Sequence, residues 1–169
     1  MTSEIKFRDA SLEHLPRIVE IYNSTVPGRM VTADTEFVSV ESKVRWFHEH
    51  SANKRPLWII EDENDSILGW VSFQSFYGRP AYDGTAEISI YLDPAVRGKG
   101  IGKKALQFAM DRSGTLKIKT LLGYIFMHNA PSLSLFRSFG FEQWALFPNV
   151  AELDGIERSL IILGKRVTP

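Results

Sequence analysis

The chain has 169 residues, 44% of them hydrophobic, with 20 basic and 20 acidic side chains and no formal net charge. This length predicts one domain, residues 1–169, with a sizeable core, and the missing basic excess argues against a nucleic-acid or anionic-membrane binder. The absence of cysteine excludes disulfides, thiolate metal sites and a cysteine nucleophile. The start carries no apolar signal segment and no run approaches 18 apolar residues, so we expect a soluble, cytoplasmic protein.

The first half of the chain predicts a strand, two helices and a strand hairpin. Apolar periodicity and turn residues place, in order, a strand at 5–8, a helix at 12–23, a loop at 24–37, a helix at 39–49 and strands at 57–61 and 67–76. The first helix follows Ser11, a residue type that caps helix starts. A turn at 63–66 separates the two strands of the hairpin.

The second half predicts a longer alternation of strands and helices. After a loop at 77–84, the pattern places a strand at 87–92, a helix at 100–113, a strand at 119–126, a helix at 131–138 and strands at 141–147 and 156–165. Gly114 is expected to end the first of these helices. The order β-α-α-β-β-β-α-β-α-β-β predicts an α+β fold, with one mixed sheet and helices on its faces.

A basic, glycine-rich turn joins the strand at 87–92 to the helix after it. The strand breaks at Asp93-Pro94, and Arg97-Gly98-Lys99-Gly100-Ile101-Gly102 follows. Glycines let the backbone approach a phosphate, and free N–H groups at a helix start favour negative charge. The turn therefore predicts a site for a pyrophosphate-bearing ligand, and the alternative is a solvated basic turn before a surface helix.

Two well-known phosphate motifs fit this turn poorly. A P-loop needs glycine where Arg97 stands, and serine or threonine where Lys104 stands. The dinucleotide pattern G-x-G-x-x-[GA] matches Gly100, Gly102 and Ala105, but the turn does not follow its strand directly and the acidic residue expected downstream is missing.

A third pattern fits better. Arg97-x-x-Gly100-x-Gly102, with Asn129-Ala130-Pro131-Ser132 and Phe139-Gly140-Phe141 about 30 residues later, resembles the GNAT N-acetyltransferase superfamily over nearly the whole chain. The resemblance implies αβα layers around a mixed, largely antiparallel sheet of about seven strands. It also implies acetyl-CoA as co-substrate, no metal and a homodimer. The cofactor-binding residues that it implies are Ile90, Tyr91, Leu92, Arg97, Gly98, Lys99, Gly100, Ile101, Gly102, Lys103, Asn129 and Ser132.

Acetyl transfer to an amine needs a group that takes a proton from the amine. Glu87 is the candidate, because it lies early in the strand before the glycine turn and the family commonly places a general-base glutamate there. The alternative is a solvent-facing strand carboxylate. Family members often place at Phe136 a tyrosine that protonates the departing thiolate. Phenylalanine has no such proton, so the acid stays unassigned, and His128 is the nearest titratable candidate.

The substrate side resembles a narrower branch, the phosphinothricin and methionine sulfoximine N-acetyltransferases. The residues that carry this resemblance, and that it implies bind the substrate, are Phe76, Arg79 and Tyr82. A guanidinium fork suits the carboxylate of an amino acid, and the alternative is that this arginine and tyrosine only order a surface loop. Trp46 and Phe37 either line the site or pack in the core. Arg29 either adds an anionic contact or faces solvent.

These patterns together predict an acetyl-CoA-dependent N-acetyltransferase. Its expected acceptor is the α-amine of a small amino acid or analogue, with Glu87 as general base. The alternatives are transfer to another amine, such as a protein N-terminus, a polyamine or an aminoglycoside, and a non-catalytic acyl-CoA-binding sensor.

Overall fold

The computed structural model describes residues 4–169, and a single seven-stranded sheet organises them. The strands are β1 (Lys6–Asp9), β2 (Leu57–Glu61), β3 (Ile67–Ser75), β4 (Thr85–Leu92), β5 (Thr120–Phe126), β6 (Glu142–Leu153) and β7 (Ile156–Arg166). The α-helices are α1 (Leu15–Asn23), α2 (Val44–His48), α3 (Ile101–Ser113) and α4 (Ala130–Ser138). Short 3-10 turns precede α1, α2 and β4 and follow β4.

The strand order across the sheet is β1-β2-β3-β4-β5-β7-β6. Only β4 and β5 pair in parallel, because α3 crosses over between them, and all the other pairs are antiparallel. The predicted mixed, largely antiparallel α+β sheet with about seven strands is confirmed.

Alternation along the strands divides the core between the two faces of the sheet. Trp58 and Ile60 of β2 face the larger cluster, which contains buried residues of α3 and α4. Leu57 and Ile59 of the same strand face a smaller cluster, which contains buried residues of α1. Helices therefore cover both faces, as predicted, with α3 and α4 on one and α1 and α2 on the other.

Several boundaries differ from the prediction. A 3-10 turn forms the start of each of the two predicted N-terminal helices, so α1 begins at Leu15 and α2 spans only 44–48. Gly114 keeps helical dihedral angles (φ −61°), and the first left-handed residue after α3 is Lys117. The strand β6 continues to Leu153, because a register irregularity between Phe147 and Ala151 absorbs Pro148 within the hairpin.

The parallel strands β4 and β5 separate after a short paired segment. Their register runs from Thr85 opposite Thr120 to Glu87 opposite Leu122 and ends there. β4 continues to Leu92 along β3 alone. The separation leaves a gap in the sheet between β4 and β5.

Candidate active site

Two adjoining cavities meet at the point where β4 and β5 separate. The first, of about 540 Å³, runs from the gap to the glycine turn and the start of α4. The second, of about 220 Å³, lies between the β3–β4 surface and helices α1 and α2. Ser89 and Tyr91 line both cavities. A ligand in the first cavity, here called the cleft, would therefore meet a ligand in the second, here called the acceptor cavity.

The wall of the cleft on β4 carries backbone groups that lack a strand partner. Asp93 donates its N–H to the carbonyl of Leu68 at 2.8 Å, so it forms a hydrogen-bonded pair with β3. Successive residues of a strand alternate between facing one neighbour and the other, so the N–H groups of Ile88, Ile90 and Leu92 face β5. Two bonds support this register: the Leu92 carbonyl accepts from Arg97 at 3.4 Å, and the Gly84 carbonyl accepts from the Lys119 N–H at 2.8 Å.

This register distinguishes the three β4 residues that the resemblance implies bind the cofactor. The N–H groups of Ile90 and Leu92 open into the gap, where they are free to bind an acyl or pantetheine group. The N–H of Tyr91 faces β3 instead, opposite Trp70. Tyr91 reaches the cleft through its side chain, which is stacked on the Trp70 ring with centroids 4.5 Å apart.

The glycine turn presents the start of α3 to the other end of the cleft. Gly98 and Gly100 have φ values of +76° and +80°, which favour glycine. Gly100 caps the helix without a side-chain bond, and the first helical bond here runs from the Lys104 N–H to the Gly100 carbonyl. The N–H groups of 101–103 therefore have no helical acceptor and suit an anion.

An ion pair before the glycine turn fixes the position of the turn. Asp93 accepts from the Ala95 N–H at 2.8 Å and from Arg17 of α1 at 2.5 Å. These bonds hold the pKa of Asp93 below its usual value. The turn is thus fastened to α1 and to the end of β4.

Most of the predicted cofactor-binding residues line the cleft. They are Ile90, Tyr91, Leu92, Arg97, Gly98, Gly100, Gly102, Lys103, Asn129 and Ser132. Two predicted residues do not line it: the side chain of Ile101 is buried in the main core, and Lys99 is exposed. Helical geometry explains the position of Ile101, because successive side chains of the first turn point in different directions; Lys99 lies in the turn before the helix.

The start of α4 closes the cleft on the β5 side. Asn129 is buried and caps the helix, since its Oδ1 accepts from the Ser132 N–H at 3.3 Å. Phe136 packs on Gly123 of β5, where an added Cβ would lie 2.8 Å from the ring. Gly123 thereby lets the Phe136 ring sit against the strand.

The acceptor cavity has a polar floor built from three cross-strand pairs of β3 and β4. In register these are Gln74 with Glu87, Ser72 with Ser89, and Trp70 with Tyr91, and all six residues line the cavity. Burial raises the pKa of Glu87. The pKa of Glu87 therefore lies closer to neutral pH, and a general base is most effective when its pKa is near the working pH.

Tyr22 of α1 lines the acceptor cavity, and hydrogen bonds to the loop after α1 hold its hydroxyl. The Tyr22 hydroxyl lies 2.5 Å from the Thr32 hydroxyl and donates to the carboxylate of Asp34. Burial and the bond to Asp34 raise the pKa of Tyr22 to about 12. Tyr22 thus stays protonated, and the ring forms part of the cavity wall.

The predicted substrate loop lies outside both cavities. Phe76 and Tyr82 pack edge to face with ring centroids 5.4 Å apart, and Tyr82 is 42% exposed. Arg79 is exposed and lines neither cavity. None of these three predicted substrate residues lines either cavity. Buried Arg55 supports the loop by donating to the Asp83 carbonyl at 2.9 Å.

Of the remaining predicted residues, one lines the acceptor cavity and the others lie outside both cavities. Trp46 lines the acceptor cavity, whereas Phe37 is 68% exposed and lies outside it. Arg29 donates to Asp154 and to the Thr35 carbonyl, so its guanidinium fastens the loop to the β6–β7 hairpin. The His128 Nε2 lies 2.7 Å from the Arg29 carbonyl, and this histidine does not line the cleft.

Several residues that line the two cavities escaped the sequence reasoning, and three of them carry polar groups that bear on the chemistry of the site. Lys43 and Ser72 line the acceptor cavity, and Tyr124 lines the cleft. Burial, Glu87 and Tyr77 raise the pKa of Tyr124, which stays protonated. The alternation of β3 and β5 could have placed Ser72 and Tyr124 on a sheet face, but no local pattern marks Lys43.

Among residues 4–169, no cluster of three histidine or acidic side chains has the geometry of a metal site. In the same part of the chain, no helix has the length and apolar character that a membrane span requires.

Comparison with known proteins places this geometry in a family. The profile described as Acetyltransferase (GNAT) family matches residues 15–141. YwnH of Bacillus subtilis, which is named as a phosphinothricin acetyltransferase, is 50% identical over 161 residues, covering 95% of this chain and 98% of YwnH. An L-methionine sulfoximine/L-methionine sulfone acetyltransferase of Pseudomonas paraeruginosa is 29% identical over 148 residues, covering 88% and 86%.

A solved structure extends the comparison to the fold. The phosphinothricin acetyltransferase (Pat) of Sinorhizobium meliloti, crystallised in complex with AcCoA, superposes with a TM-score of 0.90 and 29% identity. The superposition covers 98% of this chain and 89% of that one.

Proposed function

This chain belongs to the acetyltransferase (GNAT) family, and we propose that it transfers the acetyl group of acetyl-CoA to the α-amine of a small amino acid or amino-acid analogue. Its relatives are phosphinothricin and methionine sulfoximine acetyltransferases, which supports this acceptor class. The observation that carries the proposal is the shared boundary of the two cavities, since Ser89 and Tyr91 line both. An amine beside Glu87 would thus lie next to an acyl group in the gap.

The cleft suits acetyl-CoA by its shape and by its donors. A narrow gap with inward N–H groups suits the pantetheine arm, and the glycine turn with Arg97 and Lys103 suits the pyrophosphate. Asn129 and Ser132 border the gap on the β5 side. When bound, acetyl-CoA supplies an acetyl thioester as the electrophile.

Glu87 is assigned the role of general base. An ammonium has no lone pair, so the acceptor amine must lose a proton before it attacks. The carboxylate lies in the acceptor cavity, and burial raises its pKa. Glu87 takes this proton directly or through one water molecule.

The Ile90 N–H is assigned the role of hydrogen-bond donor to the acyl oxygen. Negative charge grows on that oxygen as the amine attacks, and a fixed backbone donor stabilises the charge without reorganisation. The register of β4 points this N–H into the gap. Direct attack requires no covalent enzyme intermediate, which agrees with a chain that lacks cysteine.

The leaving thiolate does not receive its proton from Phe136, because this side chain has none to give. The Tyr124 phenol, which lines the cleft, and water are candidate proton sources for the thiolate. Tyr124 borders the cleft beside Gly123, against which Phe136 packs.

Thiol release measured with a panel of amines tests the proposed function. The panel contains phosphinothricin, methionine sulfoximine, methionine sulfone, common amino acids, polyamines, an aminoglycoside and short peptides. We expect acetyl-CoA-dependent turnover with amino-acid analogues. Turnover only with the other amines would keep the acetyltransferase and reject the acceptor class. Binding of acetyl-CoA without turnover on any amine would favour an acyl-CoA sensor, the alternative that Phe136 supports.

Substitution of Gly100 by alanine tests the phosphate end of the cleft. Gly100 and Gly155 have nearly the same φ, +80° and +78°, and neither has an atom within 4 Å of an added Cβ. Either substitution costs about 1–2 kcal/mol of backbone strain, but only Gly100 borders the cleft. We expect Gly100→Ala to weaken acetyl-CoA binding about tenfold in calorimetry and Gly155→Ala to leave it unchanged. Equal affinities would refute this placement of the pyrophosphate.

Three expectations stay predictions: a single domain over 1–169, expected from the length; a cytoplasmic location, expected from the sequence; and a homodimer, implied by the resemblance. The edge strand β6 supports self-association, because it exposes apolar side chains. These are Trp144, Leu146, Phe147 and Val150.

A further inference from the structure

We propose that Lys43 binds the anionic group of the acceptor, and that the acceptor cavity thereby selects zwitterionic α-amino acids over neutral amines. The inference rests on the proposed function and adds to it the residue that recognises the carboxylate. Its starting observation is that the cavity contains both a carboxylate, Glu87, and an ammonium, Lys43.

Lys43 is held at the edge of the cavity and has no acidic partner there. It is the last residue of the 3-10 turn Glu41–Lys43 and immediately precedes α2. Its Nζ lies 5.5 Å from the centroid of the Tyr22 ring, which forms part of the cavity wall. Within residues 4–169, no carboxylate lies within 4.0 Å of this ammonium. The charge is therefore available to a ligand.

Ser72 provides an independent sign that the cavity is built for a polar ligand. Its side chain is only 1% exposed, and its Oγ has no hydrogen-bond partner in the described part of the chain. A buried hydroxyl without a hydrogen-bond partner costs free energy, so such a group indicates that a bound ligand supplies the partner. Ser72 lines the cavity floor opposite Ser89 and next to the pair of Gln74 and Glu87.

The charges and the size of the cavity together fit an α-amino acid. Glu87 attracts the amino group and Lys43 attracts the carboxylate, so the zwitterion is the complementary ligand. A cavity of about 150 Å³ holds benzene, and this one measures about 220 Å³. Trp46 and Trp70 add apolar walls for the stem of a side chain.

Lys43 is a better candidate for the carboxylate than Arg79. Arg79 is exposed on the 77–84 loop and lines neither cavity, whereas Lys43 and Glu87 line the same one. The two assignments predict different effects of mutation, because only the residue that contacts the carboxylate distinguishes an acid from its amide.

The test compares L-methionine sulfone with its α-carboxamide, which keeps the amine and removes the negative charge. We expect Lys43→Met to lower kcat/KM for the acid about 10- to 100-fold through KM, the effect of losing one hydrogen bond to a charged group. Activity on the carboxamide should change little, and Lys43→Arg should restore most of the preference for the acid. Arg45→Met is the matched control, since it removes a cation of the same helix whose side chain is 94% exposed.

The outcomes separate this inference from the proposed function. An acid-to-amide ratio that Lys43→Met leaves unchanged, while the wild type still acetylates amino acids, would overturn the role of Lys43 alone. Loss of the ratio in Arg79→Ala but not in Lys43→Met would assign the carboxylate to Arg79. Absence of turnover with every amino acid in the wild type would overturn the proposed acceptor class, and this inference with it.

Discussion

Replacing Glu87 with glutamine is expected to lower kcat about 10²- to 10⁴-fold at neutral pH, the range that general-base catalysis contributes. Glutamine keeps the shape of the side chain but does not take a proton at this pH. The affinity for acetyl-CoA should stay unchanged, because Glu87 lines the acceptor cavity and not the cleft. Steady-state kinetics and calorimetry measure the two effects separately.

The pH dependence gives this prediction a sign. Burial raises the pKa of Glu87, so wild-type kcat/KM should fall on acidification at a pH above about 4.3, the ordinary pKa of glutamate. The limb due to Glu87 should be missing in Glu87→Gln. The deficit of the variant should shrink at high pH, because the amine then loses its proton without help. Unchanged turnover at pH 7 would remove Glu87 as the base.

The substitution Glu87→Gln is expected to lower kcat but to raise the stability of the fold at neutral pH. Because the pKa is higher in the folded state, the unfolded chain releases this proton first as pH rises, and ionised Glu87 lowers the free energy of unfolding. Glu87→Gln should therefore raise Tm at pH 7 to 8 and bring no gain at pH 4. Glu157→Gln, an exposed carboxylate of β7, is the control. A lower Tm at pH 7 would show that Glu87 makes stabilising contacts instead.

Removing the N–H of Ile90 is the second change with a large expected effect. An amide-to-ester replacement at this position deletes one donor and keeps the side chain. We expect kcat to fall about 10²- to 10³-fold, the loss found when one donor to a developing oxyanion is removed. The β3–β4 ladder should survive, since Ile90 does not donate to β3 in the observed register.

An ester at Phe73 is the matched control for this experiment. Phe73 donates its N–H to the Pro56 carbonyl at 3.0 Å, away from the cavities. Its ester should cost about 0.5–1.5 kcal/mol of stability, the net contribution of one hydrogen bond, and leave kcat unchanged. Equal losses of kcat in the two esters would indicate a general effect on the sheet and refute the assignment of Ile90.

On the cofactor side, local patterns predicted a pyrophosphate site at the glycine turn, and the family resemblance supplied the individual residues. Only a few neighbouring residues determine the conformation of the strand before Asp93-Pro94, of the glycines at 98, 100 and 102 and of the Asn129 cap. Local steric rules therefore predict the element and its orientation together. Ile101 and Lys99 were the exceptions: Ile101 is buried because α3 turns its side chain into the core, and Lys99 is exposed.

The acceptor side depended on contacts that no local pattern encodes. Lys43 and Glu87 are 44 positions apart in the sequence and share a cavity only because α1 and α2 pack on one face of β3 and β4. Arg79 has the chemistry to bind a carboxylate, but it is exposed and does not line that cavity. The family resemblance implied that Arg79 binds the substrate, whereas the packing supports Lys43 as the residue that binds the carboxylate.

The sequence by itself therefore determined the sheet with its helices and the glycine turn, because these follow from short-range geometry and periodicity, and its motifs identified the family by resemblance. The tertiary structure decided how far β4 and β5 separate, which amides face the gap and which charges meet in the acceptor cavity. Those features arise from packing between distant segments, where the position of one side chain depends on all the surfaces around it.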